Sequence, residues 1–212
     1  MSGIIAQNTL DGSGLVKSPE AGGGNWVLIK TLTSDGSDSD LSFVNGSSDV
    51  VLDSTYPIYF FQFINIHVES DGGAFTIGPS LDTGSNYNVA TSAIIIESML
   101  RENDSAGTVR AEDGTDSHQA TSNVYLHGAG IHADADECMS GHMYLFNPAS
   151  TVMVKHFISE VNYTSDSSPV YNVKANVHGY INTTSAIDAI QFKLASGEIQ
   201  GGKIKLYGIK DS

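Results

Sequence analysis

The chain has 212 residues, 24 of them acidic and 10 basic, which gives a formal net charge of −14. Nucleic acid is excluded as a partner because this charge would repel a phosphate backbone, and no Lys/Arg cluster offsets it. The lone cysteine, Cys138, excludes an intrachain disulfide. No apolar run approaches the ~20 residues of a spanning helix, and the N-terminus lacks a secretory pattern, so we expect synthesis in a cytoplasm without membrane insertion.

Residues 1–24 are predicted to form an extended N-terminal arm. They contain two small apolar clusters, Ile4-Ile5 and Leu15-Val16, separated by glycine and polar residues. These clusters are too small to pack by themselves, so we expect a partner surface to hold the arm. The four apolar side chains are the predicted partner-binding residues.

Strand patterns recur at short intervals from Trp26 to the end of the chain. They cover residues 25–33, 41–52, 57–69, 72–80, 120–128, 141–148, 152–164, 170–182 and 190–210, and residues 90–100 fit either a strand or a helical turn. Residues 101–118 are predicted to be a polar, acidic loop. Eight to ten strands without a helical stripe predict one all-β domain over residues 25–212, an antiparallel two-sheet sandwich with jelly-roll topology.

The segment "PIYFFQFINIHVE" is apolar on both sides of its alternation. The alternation predicts Ile58, Phe60, Gln62, Ile64 and Ile66 on one face and Tyr59, Phe61, Phe63, Asn65 and His67 on the other. Such a strand lies inside a sandwich or at a subunit contact. The aromatic row of the second face could stack on a sugar, but burial is the favoured interpretation.

Two turn signals predict β-hairpins. Asn45-Gly46 lies between β-rich runs, and a glycine-rich turn separates two strand patterns within residues 190–210. The second hairpin places Ile190, Phe192, Leu194, Ile204 and Leu206 inward and Lys193, Lys203 and Lys205 outward. We therefore expect a basic edge on an otherwise acidic domain.

The segment "HADADECMSGH" gathers His132, Asp134, Asp136, Glu137, Cys138 and His142 within residues 132–142. Its spacing matches no zinc finger, EF-hand loop or HExxH helix. A metal could use these groups, but a solvated acidic loop leading into a strand is the favoured interpretation. No metal or other cofactor is predicted.

The sequence also lacks a recognisable catalytic pattern. No GxSxG elbow is present, and most of the histidines occur singly along the chain. We assign no catalytic residues and predict that the protein is not an enzyme, with a depolymerase or hydrolase as a remote alternative. In a second alternative, a carbohydrate- or host-receptor-binding module, the ligand loops would contribute Arg101, Arg110, His132, Asp134 and Asp136.

The two ends of the chain resemble one family of proteins. The opening "SGIIAQNTLDGSGLVK" is similar to the leader, and "IDAIQFKLASGEIQGGKIKLYGIKDS" to the closing hairpin, of small jelly-roll virion proteins of tailed bacteriophages. The resemblance implies a virion structural accessory, either a capsid decoration (cement) protein or a short head or tail fibre. It further implies a homotrimer attached through its arm to other virion proteins, and it brings no catalytic residues.

Overall fold

The computed structural model describes residues 25–112, 114–128, 130–165 and 170–211, which form thirteen β-strands. The strands are β1 (Trp26–Thr33), β2 (Leu41–Val44), β3 (Ile58–Val68), β4 (Phe75–Ser80), β5 (Thr91–Arg101), β6 (Gly107–Ala111), β7 (Ser117–Ala120), β8 (Val124–Tyr125), β9 (Met139–Phe146), β10 (Lys155–Thr164), β11 (Tyr171–Ile181), β12 (Ala189–Leu194) and β13 (Ile199–Ile209). Within these ranges no helix is long and apolar enough to cross a membrane. The predicted arm, with Ile4, Ile5, Leu15 and Val16, lies outside the described residues.

The strands form two antiparallel sheets of unequal size. The larger has nine strands in the order β1-β13-β3-β9-β10-β11-β5-β6, with β7 also paired to β5, and the smaller has the order β2-β12-β4-β8. The all-β, two-sheet sandwich predicted from the sequence is therefore confirmed. A jelly roll divides eight strands between its two sheets. Here one sheet has nine strands and the other has four, so jelly-roll topology stays a prediction.

Aromatic rings from both sheets meet in the core. Phe61 and Phe63 of the large sheet lie with ring centroids 5.1 and 5.2 Å from Phe192 of the small sheet. Phe43 and Phe75 extend this cluster, at 5.4 Å from Phe61 and 5.3 Å from Phe63. Such edge-to-face contacts add stabilisation beyond the burial of apolar area. The small sheet thus covers one face of the large sheet.

The predicted burial of the β3 aromatic row is confirmed, but the predicted alternation fails after Phe63. Tyr59, Phe61 and Phe63 are almost fully buried. Asn65 then adopts a left-handed φ of 49°, and the register of β3 with β9 shifts between Phe63 and Ile66. Because a bulge reverses the side-chain phase, Ile66 is buried with the aromatic row.

The predicted closing hairpin is wrong. β12 lies in the small sheet and β13 in the large one, so the chain crosses between sheets at a turn that contains Gly197, with φ of 73°. Gly202 lies inside β13, where a Cβ would come within 2.4 Å of the Asn65 carbonyl oxygen. β13 also lies between β1 and β3 rather than at the sheet edge, so Lys203 and Lys205 do not form a basic edge.

The Asn45-Gly46 signal marks a turn but not a hairpin. β2 pairs with β12, and the residues after the turn return without forming a strand. The Gly46 amide donates to the Val50 carbonyl, and the Asn45 side chain accepts a hydrogen bond from the Leu52 amide. Val50 and Leu52 are nevertheless buried, so the second β-rich run contributes to the core without forming a strand.

The predicted loop over residues 101–118 is also corrected. β6 lies within it and pairs with Ile96–Leu100 of β5, and β7 begins near its end. All five residues of β6 are exposed, so the strand has no apolar alternation that a sequence could reveal. Backbone hydrogen bonds to β5 define it instead.

Candidate functional site

The outer face of the nine-stranded sheet carries a continuous apolar band. Directly paired residues of seven strands form one row across the sheet: Leu28, Tyr207, Phe60, Tyr144, Ile158, His178 and Ile94. We call these seven residues the apolar band. Ile158, next to the central Tyr144, is 47% exposed. A band of this length lies open to solvent in the isolated chain, whereas isolated surface apolar residues would need no explanation.

Trp26 extends the band into an aromatic cluster near the β1 edge. Its ring lies edge-on to Phe60, with centroids 4.8 Å apart, and to Tyr207 at 6.2 Å and Tyr144 at 6.5 Å. His142 stacks on Phe60 at 5.3 Å. These rings are tilted against one another and do not form a flat platform, yet Trp26 remains 48% exposed. The cluster is pre-packed but incompletely covered.

A groove of about 560 Å³ lies at the other end of the band. His118, His156, His178 and Tyr180 line it together with Ile94 and Ile158. Gly179 lies at its base, where a Cβ would stand 2.3 Å from the Ser92 carbonyl oxygen. The groove offers an apolar floor with imidazole and hydroxyl groups.

Few acidic side chains point outward from this face, although the protein is strongly acidic. Along β13, β3, β9, β10, β11 and β5, the outward positions hold the lysines Lys203, Lys205 and Lys174 and one carboxylate, Glu160. Lys174 and Glu160 form an ion pair of 2.9 Å. The outer face thus carries the apolar band among polar residues, its few charged groups are mostly basic, and the acidic groups lie mostly elsewhere.

Two glutamates meet under the β5–β6 edge. Glu97 is fully buried, and its Oε1 accepts hydrogen bonds of 2.7 Å from the Tyr163 hydroxyl and the Gly128 amide. Its Oε2 lies 3.7 Å from a guanidinium nitrogen of Arg110, which also contacts Glu112. Burial raises the pKa of Glu112. A hydrogen bond with Glu97 and charge repulsion from Glu97 raise this pKa further.

The segment 132–142 is only partly the solvated loop that the sequence predicted. Asp134 and Asp136 are exposed, but Glu137 is 7% exposed and faces His132. His132 Nδ1 contacts Glu137 Oε2 and lies 3.6 Å from Asp134 Oδ2. The ligand atoms of His132, Asp134 and Glu137 all lie within 4.8 Å of one another, a group that could hold a metal ion.

Electrostatics in this group are dominated by burial. Burial raises the pKa of Glu137, the neighbouring Asp134 and Asp136 add to the increase, and His132 opposes it. Charge attraction links His132 to Glu137, yet neither His132 Nδ1 nor Glu137 Oε2 has a partner in hydrogen-bond geometry. Both atoms are buried, so the cluster carries unsatisfied polar groups.

The five predicted ligand-loop residues do not form one site. Arg101 donates to the Tyr171 hydroxyl at 2.7 Å and its guanidinium lies over that ring. Arg110 belongs to the glutamate pair, and His132 with Asp134 belongs to the third cluster. Asp136 is exposed beside that cluster. Sequence analysis missed the role of Glu97 and Glu112, because strand pairing brings them together across 15 positions.

Comparisons with known proteins add no functional information. No protein-family model, no curated protein and no solved structure matches this chain. Function must therefore be argued from the arrangement of its own residues.

Proposed function

We propose that this protein is a non-enzymatic structural component of a larger protein assembly, and that its outer sheet face packs against further copies of the same chain. The observation that carries the proposal is the apolar band across seven strands of the large sheet. In water this face leaves apolar area uncovered, and each Å² that a partner covers contributes about 25 cal/mol. Oligomer contacts are typically apolar at the centre with a polar rim.

Charge supports another copy of the chain as the partner. The outer face carries mostly lysines among its outward charged groups, while the chain as a whole has a net charge of −14. A face depleted of carboxylates is the one on which two acidic molecules can approach with least repulsion. A trimer, as the resemblance implies, would use this contact in a closed ring.

The assembly we propose is a tailed-phage virion, with the protein as a capsid decoration protein or a short head or tail fibre. This part rests on the resemblance of the leader and the closing segment to such proteins. The arm over residues 1–24 would fasten the oligomer to another virion protein. Several arms on one oligomer would strengthen attachment by avidity without any new contact.

Sedimentation of matched variants tests the contact between copies. Ile158→Lys places a charge within the apolar band, next to its central residue, and Asn162→Lys places the same charge four residues later on the same strand and face. We expect wild type and Asn162→Lys to sediment as an oligomer and Ile158→Lys as a folded monomer. A wild-type chain that stays monomeric at high micromolar concentration would refute the contact.

Deleting residues 1–24 tests the arm separately. We expect the shortened chain to keep the circular dichroism spectrum and the oligomeric state of the full chain, but to fail to join particles in a reconstitution assay. Shortened protein that still joins particles would show that the arm is not the anchor.

The second candidate function is binding of a host-surface glycan in the outer groove. Tyr180, with the hydroxyl and imidazole groups around it, supplies the apolar and polar contacts that a sugar requires. A glycan array with wild type and Tyr180→Ala tests this alternative. Glycan binding by wild type that Tyr180→Ala loses would favour this alternative. Absence of glycan binding by wild type would contradict it.

A further inference from the structure

The cluster of His132, Asp134 and Glu137 carries an inference independent of the proposed assembly. We propose that these three side chains bind one divalent first-row transition ion, with Zn²⁺ as the representative, on the loop that leads into β9. Their ligand atoms are one imidazole nitrogen and two carboxylate oxygens, a donor set that suits zinc and related ions.

Glu137 is a buried carboxylate whose contact with His132 does not meet hydrogen-bond geometry. Glu137 is more than nine-tenths buried, and its Oε2 faces the cluster without a partner in hydrogen-bond geometry. His132 Nδ1, the atom that it contacts, has none either. Buried polar atoms in proteins are nearly always hydrogen-bonded, and these two are held only by a charge contact outside hydrogen-bond geometry. A cation bound to both atoms would satisfy them once that contact opens.

The separations of the ligand atoms are close to those around a zinc ion. Two ligands held at about 2.0–2.2 Å from a tetrahedral zinc ion lie roughly 3.4 Å apart. His132 Nδ1 and Asp134 Oδ2 lie 3.6 Å apart, and all three ligand atoms lie within 4.8 Å of one another. The His132–Glu137 contact must open to admit the ion.

A further carboxylate, Asp71, lies beside the second ring nitrogen of His132. A metal-binding histidine usually presents its second ring nitrogen to a carboxylate or carbonyl oxygen. His132 Nε2 faces Asp71 Oδ2 at 3.6 Å, and Asp71 is itself fixed because its Oδ1 accepts a 2.9 Å hydrogen bond from the Ala133 amide. Asp71 is therefore the positioning residue behind His132.

The backbone of the loop is held in the same way. The Glu137 amide donates to the Asp134 carbonyl at 2.9 Å, which forms a turn that brings both acidic side chains to one side. A ring nitrogen of His67 lies 3.1 Å from that same carbonyl. The ligands are thus arranged by local backbone contacts before any ion binds.

Calcium fits the cluster less well. Ca²⁺ takes six to eight oxygen ligands, whereas this cluster offers one nitrogen and two carboxylates. Three protein ligands leave a fourth zinc position for water, which the exposure of Asp134 permits.

Calorimetric titration of chelator-treated protein with Zn²⁺ tests the proposal. We expect one ion per chain, and at least tenfold weaker binding for both His132→Gln and Glu137→Gln. Asp136→Asn is the matched control, because it removes a neighbouring carboxylate outside the cluster and should stay within twofold of wild type. His156→Gln controls for the histidine groove in the same way.

A second measurement keeps the test independent of any single variant. Saturating Zn²⁺ should raise the thermal midpoint of wild type and Asp136→Asn, since an ion that binds only the folded state stabilises it, but not that of His132→Gln. The proposal is overturned if wild type binds no Zn²⁺, if Asp136→Asn weakens binding as much as Glu137→Gln, or if His156→Gln alone abolishes it.

Discussion

The two faces of the nine-stranded sheet differ in coverage, although both carry large apolar side chains. The inner face, represented by Phe61 and Phe63, is covered by the four-stranded sheet and is almost fully buried. The outer face carries Phe60, Tyr144 and Ile158 along the apolar band, yet no described element covers it. A fold needs only one apolar face of a sheet, so the second one indicates a contact beyond the single chain.

The largest expected effect is the loss of stability when an aromatic ring is removed from the covered inner face. Phe63→Ala removes a ring that contacts Phe75 and Phe192, so it should lower the free energy of unfolding by about 3–5 kcal/mol. Phe60→Ala, three residues earlier and on the outer face, should cost less than half as much in monomeric protein. Denaturant titrations measure both, and equal losses would mean that the outer aromatic cluster is a second core.

The next effect concerns the glycine at the base of the groove. Gly179→Ala brings a Cβ within 2.3 Å of the Ser92 carbonyl oxygen, so β11 and β5 must separate, at a cost of about 1–3 kcal/mol. Gly114→Ala is the matched control, because its Cβ meets nothing within 4 Å. Thermal unfolding of both variants checks this, and a neutral Gly179→Ala would show that the sheet adjusts freely there.

A smaller effect, dependent on pH, concerns the glutamate pair. The folded-state pKa of Glu112 lies above its ordinary value of 4.5, because burial and Glu97 outweigh attraction by Arg110. Glu112 therefore favours folding most strongly below that value, and its contribution is lost as pH rises through the folded-state pKa. Glu112→Gln should remove this loss, so the variant should be more stable than wild type at neutral pH.

Glu160→Gln is a control with the opposite expected pH dependence of stability, because the pKa of Glu160 is lowered. The hydrogen bond from Lys174 lowers the pKa of Glu160, so its small contribution is present above the ordinary value and is lost as pH falls. Urea titrations from pH 4 to 8 compare the two variants. Parallel curves for Glu112→Gln and wild type would show that the pKa of Glu112 is not raised in the folded state.

The smallest expected effect on stability belongs to the apolar band itself. Ile158→Lys at a dilution where the protein is monomeric should change the free energy of unfolding by no more than about 0.5 kcal/mol. Its large effect is expected on sedimentation alone. A marked loss of stability in the monomer would mean that Ile158 belongs to the fold rather than to a contact between copies.

Sequence analysis succeeded where alternation is regular and failed where the backbone interrupts it. The alternation of Val173, Ala175 and Val177 with polar residues in the sequence matches their burial, because β11 pairs with both neighbours without a bulge. In β3 the left-handed Asn65 shifts the phase, which no alternation count detects. The closing hairpin failed for a related reason, since a glycine turn looks the same whether the chain stays in one sheet or crosses to another.

The candidate sites show the same division. The composition of residues 132–142 showed metal-ligating groups, but only folding decided that Glu137 would be buried against His132. For the glutamate pair the sequence offered no signal, because Glu97 and Glu112 are brought together by the pairing of β5 with β6 and not by a motif.

The amino-acid sequence by itself determined an all-β domain, its acidic charge and most of its inward-facing apolar residues, because strand formation depends on local alternation and turn chemistry. Only the tertiary structure decided how the strands are divided between the sheets, which apolar face is covered and which carboxylates are buried. These features depend on contacts between residues far apart in the chain, whose pairing no local pattern specifies.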